Sequence, residues 1–231
     1  MSSIPPLQIY EKLLDIYGSQ HWWPADSPFE VMVGAILTQN TSWKNVETAI
    51  ANLKTHDMLD CELIASSNLQ QLGEIIHASG FYMQKARYLQ QFSLFYYNNG
   101  KRKGLIKWPT SVLRQRLMAV HGIGPETADS ILLYALDRPV FVVDAYTKRL
   151  FMRLEHFDHK LGYDSIQNYF QQRLPESLPL FQEFHALIVE HAKRFCRTRP
   201  LCSSCPLASD CPTATDADTA AVHHPQNSDV D

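Results

Sequence analysis

The sequence predicts an all-α protein built of two helical subdomains. Apolar residues recur at intervals of three and four along most of the chain, and no segment shows the convincing alternation of a half-buried strand. Prolines and glycines punctuate the chain between these apolar segments. With 45% hydrophobic residues, the 231-residue chain can bury a real core. The predicted helices are 7–17, 29–37, 43–53, 82–97, 111–120, 127–136, 145–154, 166–174 and 181–195.

The two subdomains are expected to be discontinuous in sequence. Residues 26–136 are predicted to form a central helical bundle, and residues 1–25 pack with 137–211 as the second subdomain. From about residue 212 the composition turns to small and polar residues, so residues 212–231 are predicted to be a disordered tail. Without a leader pattern or a long apolar run, the protein is expected to be cytoplasmic, nucleoid-associated if bacterial, and not bound to membranes.

The formal net charge of −3 does not by itself suggest a nucleic-acid binder. Four acidic residues lie in the tail, and without them 21 basic residues face 20 acidic ones. Any DNA contact must therefore come from local arrangement of charge rather than from bulk charge. Two basic clusters are candidates: Lys101, Arg102, Lys103 and Lys107, then Lys193, Arg194, Arg197 and Arg199. A solvated helix face explains the first cluster at least as well as DNA binding does.

A glycine-containing hairpin at 121–128 joins two of the predicted helices. Its glycines, Gly122 and Gly124, are expected to allow positive φ and close backbone approach. Pro125 suits the first position of the following helix, and Ile123 is expected to anchor the hairpin in the core. Exposed amides beside a helix N-terminus suit a phosphate, whereas the simpler alternative is an ordinary helix–helix turn.

An apolar run ends in a carboxylate at Asp144, twenty residues after Gly124. The residue stands at the start of a predicted helix, where aspartate is a common N-cap. Position alone therefore leaves both a structural and a catalytic role open.

Together these motifs resemble the endonuclease III superfamily of helix-hairpin-helix DNA glycosylases. The likeness covers roughly residues 5–211: Leu37-Thr38-Gln39-Asn40-Thr41, the hairpin, Val142-Val143-Asp144 and a C-terminal cysteine cluster. It implies a monomer that binds double-stranded DNA with a flipped damaged base. Asp144 would stabilise the sugar cation or activate water, as breaking an N-glycosidic bond requires. The hairpin residues implied in gripping the DNA backbone are His121, Gly122, Ile123, Gly124 and Thr127.

The hairpin departs from the strand-cutting members of that superfamily. Those members share a lysine at the second position after the second hairpin glycine. In this chain the corresponding residue is Glu126. A carboxylate cannot form a Schiff base, so the resemblance implies a monofunctional glycosylase. Lys148, one helical turn after Asp144, is the nearby candidate for a replacement amine.

The chain carries Trp22-Trp23-Pro24, followed by Leu37-Thr38-Gln39-Asn40-Thr41 and by Gly80-Phe81-Tyr82. This combination is similar to one branch of the superfamily, 3-methyladenine DNA glycosylase III. Flat π-rich walls suit an alkylated purine, which carries positive charge. The resemblance implies Gln39 and Phe81 as the residues that fill the gap and wedge the opposite strand. Core packing is the alternative for any single aromatic residue. The implied base pocket consists of Trp22, Trp23, Pro24, Trp43 and, as a weaker candidate, Tyr146.

Four cysteines within sixteen residues predict a metal site. Their spacing is Cys196-x5-Cys202-x2-Cys205-x5-Cys211, while Cys61 stands apart and is expected in a helix or the core. Thiolates alone do not distinguish iron from zinc. The resemblance favours a structural [4Fe–4S] cluster, although the first gap is one residue shorter than the usual pattern and the alkylation branch member in question lacks these cysteines.

The sequence thus predicts removal of a damaged base, an alkylated purine, from duplex DNA. An endonuclease III-type glycosylase and lyase acting on oxidised pyrimidines shares every feature except the tryptophans and Glu126. The third interpretation is a non-catalytic helix-hairpin-helix protein that binds DNA.

Overall fold

A computed structural model describes residues 4–214, and all regular structure in that range is helical. Residues 212–214 continue the ordered chain, and the rest of the predicted tail lies outside the described residues. The chain divides into two compact units, residues 4–22 with 143–214 and Trp23–Val142. The sequence-based boundaries at 26 and 136 fall inside the second of these, here called the central unit. Among the described residues, no helix is long and apolar enough to cross a bilayer.

The central unit packs eight α-helices around one apolar core. Buried residues of α2 lie at its centre, including Met32, Ile36 and Leu37. Residues 137–142, the last of this unit, contact α7 and its C-cap: Arg138 donates to the Ile106 carbonyl at 2.6 Å. The helices are α2 Pro28–Leu37, α3 Trp43–Thr55, α4 Cys61–Ser66, α5 Leu69–Ile75, α6 Tyr82–Asn98, α7 Lys101–Leu105, α8 Thr110–Met118 and α9 Pro125–Ala135, with a short 3-10 helix at His77–Ser79.

The other unit joins the N-terminal helix to the last three α-helices. Helix α12 contacts both α1 and α10. Aromatic rings fill much of the core between them: Phe151 and Phe170 meet edge to face at 4.6 Å between centroids. The helices are α1 Pro6–Tyr17, α10 Ala145–Arg153, α11 Tyr163–Gln171 and α12 Leu178–Arg194, followed by 3-10 turns at Cys202–Ser204 and Ala208–Asp210.

The nine predicted helices are present, and three short ones were missed. Helices α4, α5 and α7 have six, seven and five residues, too few to show an apolar period. Capping side chains mark two of them: Asp60 accepts the amides of Glu62 and Leu63, and Asn68 accepts that of Gln71. Cys61, the first residue of α4, is buried, as expected for a helix or core residue.

A half-buried histidine makes the unit that contains α10 sensitive to acid. Burial lowers the pKa of His156 to about 4, and its Nδ1 lies 2.5 Å from the Tyr169 hydroxyl. The unfolded chain, with a histidine pKa near 6.5, therefore binds more protons between pH 6.5 and 4. We expect the free energy of unfolding to fall as pH falls through this window, with the full contribution present above it. Urea unfolding of His156→Phe at several pH values should show a shallower fall; an unchanged slope would contradict this assignment.

Candidate functional site

The hairpin at 121–124 depends on one glycine for its shape. Gly122 has φ +90°, and a Cβ atom there would lie 2.1 Å from Cδ1 of Tyr88. Positive φ and close approach are therefore confirmed at this position. Ile123 is buried as predicted, and Pro125 begins α9. His121 remains exposed, with its ring edge to face against Tyr88 at 5.3 Å.

The second hairpin glycine has a different conformation from the one predicted. Gly124 has φ −85° and ψ 177°, so the expectation of positive φ is wrong there. The physical reason is that Gly124 is the N-cap residue of α9, and extended backbone is usual at that position. It is exposed, and a Cβ atom on it would meet no heavy atom within 4 Å. The fold leaves open space at this point of the hairpin.

Gln39 is tied to the hairpin by two hydrogen bonds. Its Nε2 donates to the Gly122 carbonyl and to Oγ1 of Thr127, both at 3.0 Å. Because Thr127 is buried, its hydroxyl has a fixed position and so fixes the side-chain amide of Gln39. Three of the residues predicted to contact DNA are thus parts of one arrangement in the central unit.

Phe81 is the most exposed large hydrophobic side chain among the described residues. It has 66% of its surface exposed and φ +46°, just before α6 begins. The prediction of an exposed turn is confirmed, since Gly80 beside it also has positive φ, +67°. An exposed aromatic ring on a left-handed backbone gains little from folding, and such positions are often functional.

Three aromatic rings form one cluster in the central unit. Trp23 meets Trp43 edge to face at 5.1 Å and Tyr134 at 5.3 Å between ring centroids. A Cβ atom at Gly34 would lie 3.2 Å from the Trp23 ring, so the missing side chain there makes room for the indole. Tyr134 was not singled out from the sequence, because it has helix-core spacing. Pro24 is exposed beside this cluster in sequence.

The two other predicted pocket residues belong to the unit that holds α10. Tyr146 is half-buried, with the Arg149 guanidinium 5.1 Å from its ring centre. Trp22 is half-buried with Lys193 Nζ at 5.3 Å from its ring. Both rings thus face a cation in the structure. Their role in a base pocket stays a prediction.

Asp144 is buried at the N-terminus of α10. Its Oδ1 accepts the Thr147 amide at 2.7 Å, which is the N-cap contact, and its Oδ2 lies 3.5 Å from Nε2 of His185 on α12. The side chain retains 12% exposure. Burial raises the pKa of Asp144, but His185 and the Thr147 amide outweigh it and bring that pKa below its usual value. The structure thus holds a buried carboxylate that is ionised at neutral pH.

His185 was missed by sequence reasoning. It lies 41 positions after Asp144, on a helix whose apolar spacing marks it as a core residue. No local motif signals the contact. A buried histidine paired with a candidate catalytic carboxylate is the kind of feature that only the fold brings together.

Glu126 and Lys148 are the two residues that bear on imine formation. Glu126 is exposed in the first turn of α9. Lys148 is half-buried, with Nζ 5.8 Å from the centre of the Tyr163 ring. The hairpin therefore presents a carboxylate at position 126, and a carboxylate cannot form a Schiff base.

The four clustered cysteines line one pocket. Arg153 Nη1 donates to Sγ of Cys196 at 3.2 Å, and His191 Nε2 lies 3.6 Å from Sγ of Cys205. Burial, together with the neighbouring thiols, raises the pKa of Cys205 and of Cys211. Within residues 4–214 no three metal-ligand side chains converge on a single-ion site. The other walls are mainly apolar: Leu150, Leu154, Phe195, Leu201 and Leu207.

The basic clusters are partly neutralised by acids. Lys101 pairs with Glu62 and Arg102 with Asp137, as expected of a solvated face. In the second cluster Arg194 pairs with Glu190. Lys193 in the last turn of α12, and Arg197 and Arg199 in the loop that follows, are exposed.

Comparison with known proteins identifies the family. The sequence profile of the HhH-GPD superfamily of base excision DNA repair proteins matches residues 33–176. A Methanocaldococcus jannaschii protein named "Putative DNA repair glycosylase" is 51% identical over 197 residues, 84% of this chain and 90% of that protein. Endonuclease III of Sulfolobus acidocaldarius is 26% identical over 172 residues, 74% of this chain and 75% of its own.

A solved structure agrees with the sequence matches. The 3-methyladenine DNA glycosylase of H. pylori, bound to 1,N6-ethenoadenine, superposes with a TM-score of 0.70. It is 28% identical, and the likeness covers 83% of this chain and 98% of that one. The chain belongs to the HhH-GPD superfamily of base excision DNA repair proteins, the helix-hairpin-helix glycosylases of the endonuclease III type.

Proposed function

We propose that this glycosylase hydrolyses the N-glycosidic bond of an alkylated purine in duplex DNA and does not cut the strand. The observation that carries the proposal is the ionised carboxylate of Asp144 at the start of α10, held by the Thr147 amide. Loss of the base builds positive charge on the sugar. A fixed negative charge beside the anomeric carbon lowers that barrier and can orient the attacking water.

His185 completes the carboxylate site as a positioning residue. Its Nε2 lies 3.5 Å from Oδ2 of Asp144, while Oδ1 is engaged by the Thr147 amide. The Thr147 amide fixes Oδ1, and the His185 ring lies beside Oδ2. They also favour the ionised form that burial alone would oppose.

The aromatic cluster supports an electron-poor base as the substrate. Trp23 and Trp43 stand perpendicular in the central unit, partly buried against its apolar core, and would offer an indole surface to a base. A methylated purine is cationic and is attracted to an indole face. The 28% identical relative of known structure binds an adenine derivative, which accords with this class of lesion. In the proposal Pro24 extends this aromatic cluster, and Trp22 and Tyr146 stay predicted pocket residues.

The hairpin would bind the DNA backbone through exposed main chain. Replacing Gly124 by alanine adds a methyl group in open space, so we expect a fold stability within about 1 kcal/mol of the wild type. That methyl group would stand between the hairpin amides and a phosphate, so affinity for duplex DNA should fall. Gly122→Ala is the matched variant: clash with Tyr88 and positive φ should cost about 2 kcal/mol or more in stability.

Chemical denaturation and fluorescence anisotropy with a short duplex measure the two effects separately. Tight duplex binding by Gly124→Ala would show that DNA does not approach the hairpin at this point. A wild-type stability for Gly122→Ala would contradict the structural need for glycine there.

The thiol pocket fits a [4Fe–4S] cluster. The donor set is four thiols on the wall of one mainly apolar pocket, the number of thiolates that holds such a cluster. Cys196, Cys202, Cys205 and Cys211 would hold the cluster, and Arg153 already donates to one of the sulfur atoms. When bound, the cluster would supply a structural tie between α10, α12 and the following loop. The loop carries Arg197 and Arg199, which are exposed and suited to phosphate contacts.

An excision assay on matched duplexes tests the proposal. One duplex carries 3-methyladenine, the other an oxidised pyrimidine, in the same sequence. The proposal expects release of the alkylated purine and little release of the oxidised base. The reverse preference would overturn the assigned substrate.

An endonuclease III-type enzyme acting on oxidised pyrimidines is the second candidate. The cysteine-lined pocket and the 26% identity to an archaeal endonuclease III favour it. Glu126 in the hairpin disfavours the lyase step that such an enzyme would use.

A further inference from the structure

A lysine is buried in the central unit, outside every site assigned above. Lys85 on α6 is 2% exposed. Its ammonium donates to the Leu37 carbonyl at 2.8 Å and to the Ser79 carbonyl at 2.6 Å. Burial lowers the pKa of Lys85 to about 8, which leaves the amine predominantly protonated at pH 7. A buried cation needs a strong structural reason, since lysine is rarely inside.

The two acceptors share a feature that explains the charge. Leu37 is the last residue of α2, and Ser79 is the last residue of the 3-10 helix at His77–Ser79. The final carbonyls of a helix lack partners within it and carry partial negative charge. One ammonium therefore terminates two helical segments that are far apart in sequence.

Both carbonyls precede a predicted wedge residue by two positions. Gln39 follows Leu37, and Phe81 follows Ser79. Each segment then takes a backbone conformation that L-residues seldom adopt: φ is +52° at Asn40 and +46° at Phe81. Such conformations persist only where surrounding contacts hold them.

We propose that Lys85 is a positioning residue that holds residues 37–40 and 79–81 together, so that Gln39 and Phe81 enter DNA as one unit. The inference rests on the proposed function, because the wedge role of these two residues belongs to it. Gln39 is also bonded to the Gly122 carbonyl. The lysine thus connects both wedge segments to the hairpin that grips the backbone.

Replacing Lys85 by methionine keeps the volume and removes the donor. Two buried carbonyls then lose their partner, and the two segments can relax independently. Misplacement of about 1 Å in a positioning element can lower a rate by about a hundredfold. A merely structural lysine would instead lower stability and leave the wedge intact in the folded fraction.

A duplex carrying 2-aminopurine next to a tetrahydrofuran abasic-site analogue separates these outcomes. The fluorescence of 2-aminopurine rises when it is unstacked from its neighbours, and the duplex contains no excisable base. At saturating folded protein, Lys85→Met should bind this duplex but give less than about a third of the wild-type rise. Leu89→Ala is the matched control: it removes buried volume one turn along α6, with a comparable loss of stability. It should give the full rise.

Base release provides the second measurement. Lys85→Met should release an alkylated purine from paired duplex about ten- to a hundredfold more slowly, and from a bulge within about threefold of wild type, because the bulged base is already unstacked. If Lys85→Met does not fold, Lys85→Gln takes its place: its side chain is uncharged and one atom shorter, so it should not reach both carbonyls, and the same losses are expected in smaller measure. A full fluorescence rise with the lysine variant, or an equal loss with Leu89→Ala, would overturn the inference. If the fluorescence rise depends on Lys85 but the wild type releases no base, the result contradicts the proposed function and leaves the inference about Lys85 standing.

Discussion

Asp144→Asn should lower the rate of base release by about 10²–10³-fold while binding to damaged duplex is retained. The substitution removes the negative charge and keeps a side-chain oxygen for the Thr147 amide, and asparagine is as good an N-cap as aspartate. The fold should therefore survive. Single-turnover base release and anisotropy with the same duplex measure the two properties.

Asp60→Asn is the matched control for this substitution. Asp60 caps α4 through the amides of Glu62 and Leu63, and it is remote from any predicted site residue in sequence. The same chemical change there should leave base release unaffected. Normal excision by Asp144→Asn would show that the carboxylate is only a helix cap.

Cys205→Ser should remove the visible absorption of the purified protein and destabilise it strongly. Its thiol lines the pocket with three others, and loss of a metal site belongs to the few changes that cost more than about 4 kcal/mol. For a chain of this size that corresponds to a fall of about 8–16 °C in Tm. Calorimetry and the visible spectrum measure both effects, and metal analysis of the wild type decides between iron and zinc.

Cys61→Ser provides the comparison, because Cys61 is also buried but stands apart from the cluster in α4. Its spectrum should match that of the wild type. A cysteine variant of the cluster with unchanged spectrum and unchanged Tm would rule out a structural metal at this pocket.

Much of the fold could be predicted because most helices are long enough to show an apolar period. Helix α12, for example, buries Phe181, Phe184 and Ile188 along one side. Short helices such as α4 could not be found in this way, since they rely on caps and on packing against α6. The φ of Gly124 was mispredicted because a helix N-cap and a hairpin glycine look alike in sequence.

The site was only half predictable for a related reason. Asp144 could be found from the run of apolar residues before it, and its N-cap contact is confirmed. His185 and Lys85 could not, because each acts through a contact between helices that no local pattern records. A lysine in an amphipathic helix is ordinarily assigned to the surface. Here the charge is inside because two helix C-termini meet it there.

The most direct test of the hydrolytic, monofunctional mechanism uses one end-labelled duplex with a single alkylated purine. After reaction, one aliquot is treated with alkali, one is left untreated, and one receives borohydride during the reaction. We predict base release that becomes strand cleavage only after alkali, with no borohydride-trapped protein–DNA adduct, because Glu126 cannot form an imine. Strand cleavage without alkali, together with an efficient covalent adduct, would contradict the account.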